Sequence, residues 1–175
     1  MIETGDRPKR SRGITLLECV VVTAVLAIAM LAAAPSIQAV RNRVAVEITA
    51  RALLAAINTA KAEALGRHRR VTIAPHDGKQ WNSGWVTFID DNLNDRHDAG
   101  ERYLARYAPL PSGVDIKTTW SLYQQPVVAF EENGFMRVEK GGWLSGNIEI
   151  RGHERCIRIT FNAYGRPRVA MACDV

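Results

Sequence analysis

The sequence has few of the side chains that build catalytic and metal centres. Its four histidines are scattered and lack the spacing of a metal site: His68, His76, His97 and His153. The chain contains neither a G-x-S-x-G nucleophile motif nor a glycine-rich phosphate-binding loop. The sequence therefore predicts a protein that is not an enzyme and that holds no metal and no cofactor.

Internal repeats and low-complexity tracts are also absent, but the charge is unevenly distributed. The formal net charge of the 175 residues is +5. Residues 1–13 contribute four basic residues against two acidic ones, a net of +2, and residues 151–175 contribute five arginines against two acidic residues, a net of +3. The span between them is neutral. This asymmetry predicts that the two ends face a membrane or a nucleic acid.

A long apolar run follows the basic N-terminus. The 21 residues of 14–34 contain a single charge, Glu18. A helix of that length rises about 1.5 Å per residue and spans the ~30 Å hydrocarbon core of a membrane, with its basic flank in the cytoplasm. A secretory signal cleaved after Ala34 is the alternative, but Glu18 and the following Pro35 disfavour it. A carboxylate at that depth costs about 2–3 kcal/mol and is by default functional.

The stretch "RGITLLE" (residues 12–18) resembles the class III signal of type IV pilins and pseudopilins. The resemblance implies that a prepilin peptidase cleaves between Gly13 and Ile14, that Ile14 is N-methylated, and that Glu18 pairs with the N-terminal amine of a neighbouring subunit. It divides the chain into a leader (1–13), a membrane-spanning and filament-core helix (14–40), and a globular part (41–175). We expect an inner-membrane protein with a periplasmic C-terminal domain that later joins a pilus on the cell surface.

The remainder predicts one long helix followed by short strands, an α+β fold. Apolar residues recur at helical spacing up to a C-cap at Gly66: Val46, Ala50, Leu53, Leu54, Ile57, Ala60, Ala64 and Leu65. Eight β-branched or aromatic segments follow, separated by turn residues: "RVTIA", "GWVTFI", "RYLARY", "VVAF", "FMRV", "NIEI", "RCIRITF" and "RVAMA". With no room for intervening helices, the strands are expected to be antiparallel.

Two segments resemble the FimT/GspH group of pilin-like proteins: 84–104, with its acidic loop and "D-x-G-E", and "FNAYGRPR" at 161–168. In the second, Gly165, Arg166 and Arg168 match the G-R-x-R motif of FimT-type minor pilins. The resemblance implies binding of DNA backbone phosphates without sequence preference, for uptake in natural transformation. The alternatives are a GspH-type pseudopilin of type II secretion and a purely structural or priming minor pilin.

Other arginines are secondary candidates for the same DNA surface. Arg155 and Arg158 lie on the strand that precedes the motif, and Arg67, Arg69 and Arg70 follow the long helix. Because a basic cluster also compensates the dipole of a helix C-terminus, the second group has a purely structural alternative.

Two cysteines flank the G-R-x-R segment. If "RCIRITF" and "RVAMAC" pair around a turn centred between Tyr164 and Gly165, Cys156 and Cys173 are directly opposed. Opposed Cα atoms in antiparallel strands lie about 4.5–5.5 Å apart, which suits a disulfide. The sequence therefore predicts a Cys156–Cys173 bridge that holds the base of the hairpin.

The acidic loop has a spacing similar to that of an EF-hand. Its polar residues occupy places 1, 3, 5, 7, 9 and 12: Asp90, Asn92, Asn94, Arg96, Asp98 and Glu101. Asp95 stands where that motif has glycine. Either the loop binds calcium or, as we favour, its Asp and Asn side chains bond their own backbone.

Overall fold

The computed structural model describes residues 15–120, 126–137, 145–162 and 164–171, apart from the side chains of 31–36. The chain divides into two compact units, Met1–Gln38 and Ala39–Val175. Helix α1 spans Leu16–Arg67. The strands of the described residues are β1 Val71–Pro75, β2 Trp85–Ile89, β3 Tyr103–Tyr107, β4 Asp115–Trp120, β5 Val128–Phe130, β6 Gly146–Arg151, β7 Cys156–Phe161 and β8 Pro167–Ala170. This is the predicted α+β fold.

The first unit is described from Thr15 onward, where α1 begins. The Thr15 hydroxyl accepts a hydrogen bond from the Glu18 backbone N–H at 3.3 Å, as an N-cap residue does. The apolar side chains of the first turns are exposed, Leu16 by 82%. Among the described residues, no helix is long and apolar enough to cross a membrane. The predicted leader and the Gly13–Ile14 cleavage site lie outside the described residues.

The C-terminus of α1 differs from the prediction that Gly66 caps it. The helix continues through Gly66 to Arg67, and His68 takes the left-handed conformation with φ 52°. The Arg69 N–H then donates to the Ala64 carbonyl at 3.4 Å, the bond pattern of a Schellman motif. The prediction was wrong because it assumed that glycine takes the left-handed position, which His68 takes here.

Two four-stranded antiparallel sheets form the second unit. The strand order is β3-β2-β1-β5 in the first sheet and β4-β6-β7-β8 in the second. One cluster of buried side chains joins both sheets to α1. Six of the eight predicted helix positions are buried in it: Val46, Ala50, Leu53, Ile57, Ala60 and Ala64. Leu54 is half-buried and Leu65 is 44% exposed, so the buried stripe is narrower than predicted.

Seven of the eight predicted strands are present. The exception is "FMRV", whose described part forms only an isolated bridge between Met136 and Phe130. Strand β4 was not predicted. It pairs with β6 over its full length and buries Ile116. Asp115, Lys117 and Thr119 face away from the core on this edge strand, and Thr118 is a polar residue on the same face as Ile116, which weakens the apolar signal in the sequence.

The β7–β8 hairpin has a register one residue away from the predicted one. Thr160 pairs with Arg168 and Phe161 with Pro167, so the turn is centred on Tyr164. The predicted register would pair Arg158 with Met171, so it is wrong within the described residues, where Arg158 pairs with Ala170. Strand β8 ends at Ala170, before the cysteine. Cys156 is disulfide-bonded, but Cys173 lies outside the described residues, and the pairing of the two stays a prediction.

Candidate nucleic-acid interface

The turn between β7 and β8 is closed by Asn162. Its backbone carbonyl accepts a hydrogen bond from the Gly165 N–H at 2.9 Å. Its side-chain oxygen accepts a second from the Arg166 N–H at 3.2 Å. Asn is favoured in turns because its short side chain reaches backbone groups a few residues ahead. The same side chain thus fixes the backbone of the first arginine of the G-R-x-R motif.

Gly165 is required at the turn for two independent reasons. Its φ is +64°, a left-handed conformation that favours glycine. A Cβ atom at this position would lie 2.7 Å from Cε1 of Phe130 and 3.1 Å from the carbonyl oxygen of Gly134. The glycine therefore lets the turn lie directly on β5 and on the loop that follows it. The turn is docked onto the domain and does not project freely from it.

Helix α1 holds the same turn through Lys61. The Lys61 ammonium donates hydrogen bonds to the carbonyl oxygens of Tyr164 at 2.8 Å and Gly165 at 3.2 Å. Burial, and after it the positive charge of Arg166, lowers the pKa of Lys61. Two cations are thus close enough to repel each other. An anion that binds beside them relieves this repulsion.

Arg166 and Arg168 are both exposed. Arg166 lies in the turn, and Arg168 lies on β8 opposite Thr160. Among the described residues, neither guanidinium has a carboxylate within ion-pair distance. Both can therefore form forked hydrogen bonds to an external anion without first breaking an internal ion pair.

The secondary candidates, in contrast, are all ion-paired. Arg67 pairs with Glu63 and Arg69 with Asp91. Arg158 Nε lies 2.9 Å from Glu149 Oε1, and Arg155 Nη2 lies 3.9 Å from Glu47 Oε2. Only Arg158 lies near the motif on the same face of its sheet, because it pairs with Ala170 two residues from Arg168. An external phosphate has to compete with a carboxylate at each of these arginines.

Arg70 is the clearest correction among the predicted contact residues. Its side chain is 3% exposed and cannot reach an external anion. The guanidinium instead binds three carboxylates, Asp90 at 3.3 Å, Glu131 at 2.9 Å and Asp95. Arg70 therefore belongs to the interior, where it neutralises acidic side chains that burial would otherwise destabilise.

The acidic loop closes around that guanidinium. Asp95 adopts φ +61° at the place where an EF-hand has glycine, so a non-glycine residue supplies the sharp bend. Burial raises the pKa of Asp90, against the opposing effects of the Thr72 hydroxyl and the Arg70 charge. Asp90 accepts the backbone N–H groups of Asn94 and Asp95, each at 3.1 Å. The described residues hold no group of three or more metal-ligating side chains.

Asn92 and Asn94 also bond the loop's own backbone, accepting from the N–H groups of Asn94 at 3.2 Å and Arg96 at 2.8 Å. Asp98 accepts hydrogen bonds from the side-chain amides of Asn92 at 2.8 Å and Asn94 at 2.7 Å. Glu101 accepts the backbone N–H groups of Asp91 at 3.1 Å and Asp98 at 2.9 Å. The carboxylates that a calcium ion would need are thus engaged within the loop.

The outer face of the second sheet adds positive charge next to Arg168. Glu149 lies between two arginines on this face, and its carboxylate accepts from Arg151 Nε at 3.0 Å and from Arg158 Nε at 2.9 Å. The hydrogen bond from Arg151 is the main reason that the pKa of Glu149 is lowered, with burial opposing it. One carboxylate shared by two guanidinium groups leaves a net charge of +1 beside the motif.

Glu18 has a local role at the start of α1. It lies in the first turn, three residues after Thr15, where a negative charge is stabilised by the helix dipole. The pattern Thr15-x-x-Glu18 is that of a capping box, a signal available in the sequence. Its predicted pairing with a neighbouring subunit is not tested by a single chain and stays a prediction.

Two residues of the site escaped the sequence analysis. Lys61 is one of many polar residues on a helix, and nothing local marks its contact with residues 103 positions away. Tyr164 lay within the quoted motif, but its exposure depends on how the turn docks. Asn162, by comparison, carries a readable signal, because Asn before a glycine turn typically bonds to the backbone.

Comparisons with known proteins agree with this architecture. A family model described as "Type II transport protein GspH" matches residues 49–165, and one described as "Prokaryotic N-terminal methylation motif" matches residues 8–34. The first match ends at Gly165, so the two arginines of the motif lie beyond it. A curated relative, "Pilin-like protein PilA1" of Thermus thermophilus, is 32% identical over 96 residues, which cover 55% of this chain and 59% of the relative.

Solved structures show the same fold. The type IV minor pilin FimU of Pseudomonas aeruginosa in space group P21 has a TM-score of 0.54 at 15% identity, covering 76% of this chain and 89% of FimU. A second crystal form of FimU gives a TM-score of 0.52 at 15% identity, covering 73% and 91%. The GspH match spans more than half of the chain, and the methylation motif precedes it. The chain therefore belongs to the GspH family of type IV minor pilins and pseudopilins.

Proposed function

We propose that this minor pilin binds DNA through Gly165, Arg166 and Arg168 of its C-terminal hairpin, for DNA uptake in natural transformation. The observation that carries the proposal is the pair of exposed arginines on a docked turn, without carboxylate partners among the described residues. Lys61 beside Arg166 adds a third cation. The successive phosphates of a DNA backbone can bind these cations, which have no carboxylate partner among the described residues.

The contacts are to phosphate and carry no sequence information. The site lies on a short turn and an edge strand, and no helix or ribbon of the described residues presents side chains to a DNA groove there. Affinity is therefore mainly electrostatic and salt-dependent, with a modest slope because the phosphate contacts are few. One subunit binds DNA weakly because it makes few phosphate contacts. Several subunits in one filament bind the same DNA more tightly through avidity.

The N-terminal segment gives the protein its place in a filament. In this proposal the prepilin peptidase cleaves between Gly13 and Ile14, and Ile14 is methylated. Glu18 then pairs with the N-terminal amine of a neighbouring pilin, while the precursor awaits assembly in the inner membrane with its C-terminal domain in the periplasm. Replacing Gly13 blocks processing of the precursor; a precursor that is still trimmed at the same bond contradicts this part.

A second candidate function is favoured by the family description itself, which refers to type II transport. In that case the protein is a structural or priming subunit of a secretion filament, and the hairpin arginines serve solubility or contacts between subunits. This candidate predicts no measurable affinity for DNA at moderate salt.

A salt series separates the two candidates. The full chain is purified in detergent, and its binding to a fluorescent duplex of random sequence is followed by anisotropy. The double variant R166A/R168A is expected to bind about tenfold more weakly or worse. Its slope of log affinity against log salt should be shallower by about 2.

The matched control is R96A/R106A, which removes the same charge from two exposed arginines that also lack an ion-pair partner among the described residues. Arg106 lies on β3, at the opposite edge of the first sheet from β5, on which the turn docks. The control should bind like the wild type. An equal loss in both double variants means that net charge alone attracts the DNA. Absence of binding by the wild type to this duplex and to a single strand of the same sequence rejects the proposal.

A further inference from the structure

An exposed aromatic ring stands beside the two arginines. Tyr164 directly precedes Gly165, and its side chain is 62% exposed. One side of the ring is supported by Phe135, with ring centroids 5.4 Å apart and an angle of 48° between the planes. The observation that matters is the combination, because an open aromatic face lies directly next to two exposed guanidinium groups in the same turn.

The ring is held in place before any ligand arrives. The Tyr164 carbonyl is bound by Lys61 at 2.8 Å, and the following N–H closes the turn onto Asn162 at 2.9 Å. Phe135 supports the side chain itself. A ring with two side-chain dihedral angles on a fixed backbone loses little conformational entropy when a flat ligand stacks on it.

The combination of an open ring and adjacent guanidinium groups matches one kind of nucleic acid. Proteins that bind single strands combine cations that follow the backbone with aromatic rings on which bases stack. In a duplex the faces of the bases are covered by their neighbours, so Tyr164 has no base face to contact there. In a single strand an unpaired base can turn toward the ring while its flanking phosphates face the arginines.

We propose that Tyr164 is a stacking platform for an unpaired base, so that the hairpin takes single-stranded DNA in preference to duplex. This inference rests on the proposed DNA-binding function and specifies its substrate. Arg166 and Arg168 supply the salt-dependent part of the affinity, and Tyr164 supplies a part that depends on the bases and not on salt.

The test compares three fluorescent oligonucleotides of equal length with the full chain in detergent: single-stranded oligothymidylate, an abasic strand with the same phosphodiester backbone, and a duplex. The wild type should bind the thymidylate strand at least about fivefold more tightly than the abasic strand, the lower end for one stacked base, and also more tightly than the duplex. Y164L retains an apolar side chain against Phe135 but has no aromatic face, and it should abolish that difference. Y164F should preserve it.

Controls separate stacking from folding and from charge. Y103L removes another exposed tyrosine, which is 41% exposed on the far edge of the first sheet, and should leave all three affinities unchanged. Equal binding of thymidylate and abasic strands by the wild type overturns the stacking inference, as does an equal loss on both strands in Y164L. If R166A/R168A still weakens both strands, the DNA proposal stands without stacking. If no oligonucleotide binds the wild type, both fail.

Discussion

Lys61 Nζ lies 2.8 Å from the carbonyl oxygen of Tyr164, and this bond joins the long helix to the turn that carries the G-R-x-R motif. The contact brings together residues 103 positions apart. Its donor is a cation beside another cation, Arg166, and its acceptors are backbone carbonyls of the turn. The helix therefore does more than fill the core, because it also fixes the orientation of the proposed binding turn.

Removing the hydrogen bonds from Lys61 should make the turn more mobile and weaken DNA binding. Lys61→Met keeps the length of the side chain but loses both hydrogen bonds, and we expect a loss of about 1 kcal/mol in the free energy of unfolding because the group is partly solvated. Hydrogen exchange should become faster at the Gly165 amide. Lys79→Met removes a lysine that is exposed elsewhere and should change neither quantity. If hydrogen exchange at the Gly165 amide is unchanged in Lys61→Met, the hydrogen bonds from Lys61 to the turn do not form in solution.

The pKa of Lys61 should report on the occupancy of the site. Burial and then Arg166 lower it from 10.5, so the folded chain releases this proton at lower pH than the unfolded chain does. Through Lys61 the free energy of unfolding therefore rises with pH between the lowered pKa and 10.5. NMR titration of the lysine side chains should show the pKa of Lys61 moving upward in R166A and upward again in the wild type when DNA is added. A pKa that does not respond to DNA places the bound phosphates elsewhere.

Gly165→Ala should damage the site without changing its charge. The substitution forces a Cβ to within 2.7 Å of Phe130 and strains a residue with φ +64°. We expect a destabilisation of about 1–3 kcal/mol from the two effects together, with weaker DNA binding because the turn moves. Gly78→Ala is the matched control, since its φ is +68° and nothing lies within 4 Å of the added atom. The difference in unfolding midpoints between the two variants isolates the clash, and equal midpoints would mean that Phe130 simply moves aside.

Local signals in the sequence predict most elements of the fold correctly, and contacts between distant residues are not predicted. The helix face from Val46 to Ala64 and seven strands follow from periodicity that can be read in windows of a few residues. The register of the hairpin was wrong by one residue, because the assumed opposition of two cysteines set a pairing that the ladder does not adopt. A shift of one residue also moves the side chains of a strand to the other face of the sheet, and the observed pairing places Arg168 opposite Thr160 and not opposite buried Phe161.

The candidate site shows the same division. The motif identifies the two exposed arginines. It does not show which other arginines are free to bind an external phosphate, because that depends on carboxylates that are distant in the sequence. Arg70 is bound by Glu131, 61 positions away, and Arg155 lies near Glu47, more than a hundred positions away. Arg67, Arg69 and Arg70 are therefore alike in the sequence but differ in the fold. The first two form exposed ion pairs, and Arg70 belongs to a buried ion network.

Arg70→Met should be among the most destabilising substitutions in the domain and should not remove a DNA contact. Breaking a buried ion network by deleting one partner costs about 3–5 kcal/mol, because buried carboxylates lose their counter-ion. Since burial already raises the pKa of Asp90, loss of the guanidinium raises that pKa further. The loss in the free energy of unfolding caused by the substitution should therefore become smaller as the pH falls below the raised pKa of Asp90. Urea unfolding of wild type and variant across a pH series measures this.

The matched change for Arg70 is Arg69→Met, which removes the neighbouring arginine from an exposed pair with Asp91. Exposed ion pairs contribute about 0–1 kcal/mol, so this variant should unfold close to the wild type. At temperatures where Arg70→Met is folded, its DNA affinity should match that of the wild type. If folded Arg70→Met binds DNA more weakly than the wild type, Arg70 does contribute to DNA binding.

The predicted Cys156–Cys173 bridge should close the base of the hairpin, beyond the ladder pair of Arg158 with Ala170. Alkylation of the unfolded, unreduced chain followed by mass spectrometry should label one cysteine, the free Cys19, and all three only after reduction. Closing a loop of this size stabilises by about 3 kcal/mol in the chain-entropy model, so Cys173→Ser should lower the free energy of unfolding by about that amount. Cys19→Ser should have no such effect. Labelling of all three cysteines before reduction would contradict the bridge. The turn would then be held by Asn162, Gly165 and Lys61 without a covalent base, and Cys173→Ser would leave its stability unchanged.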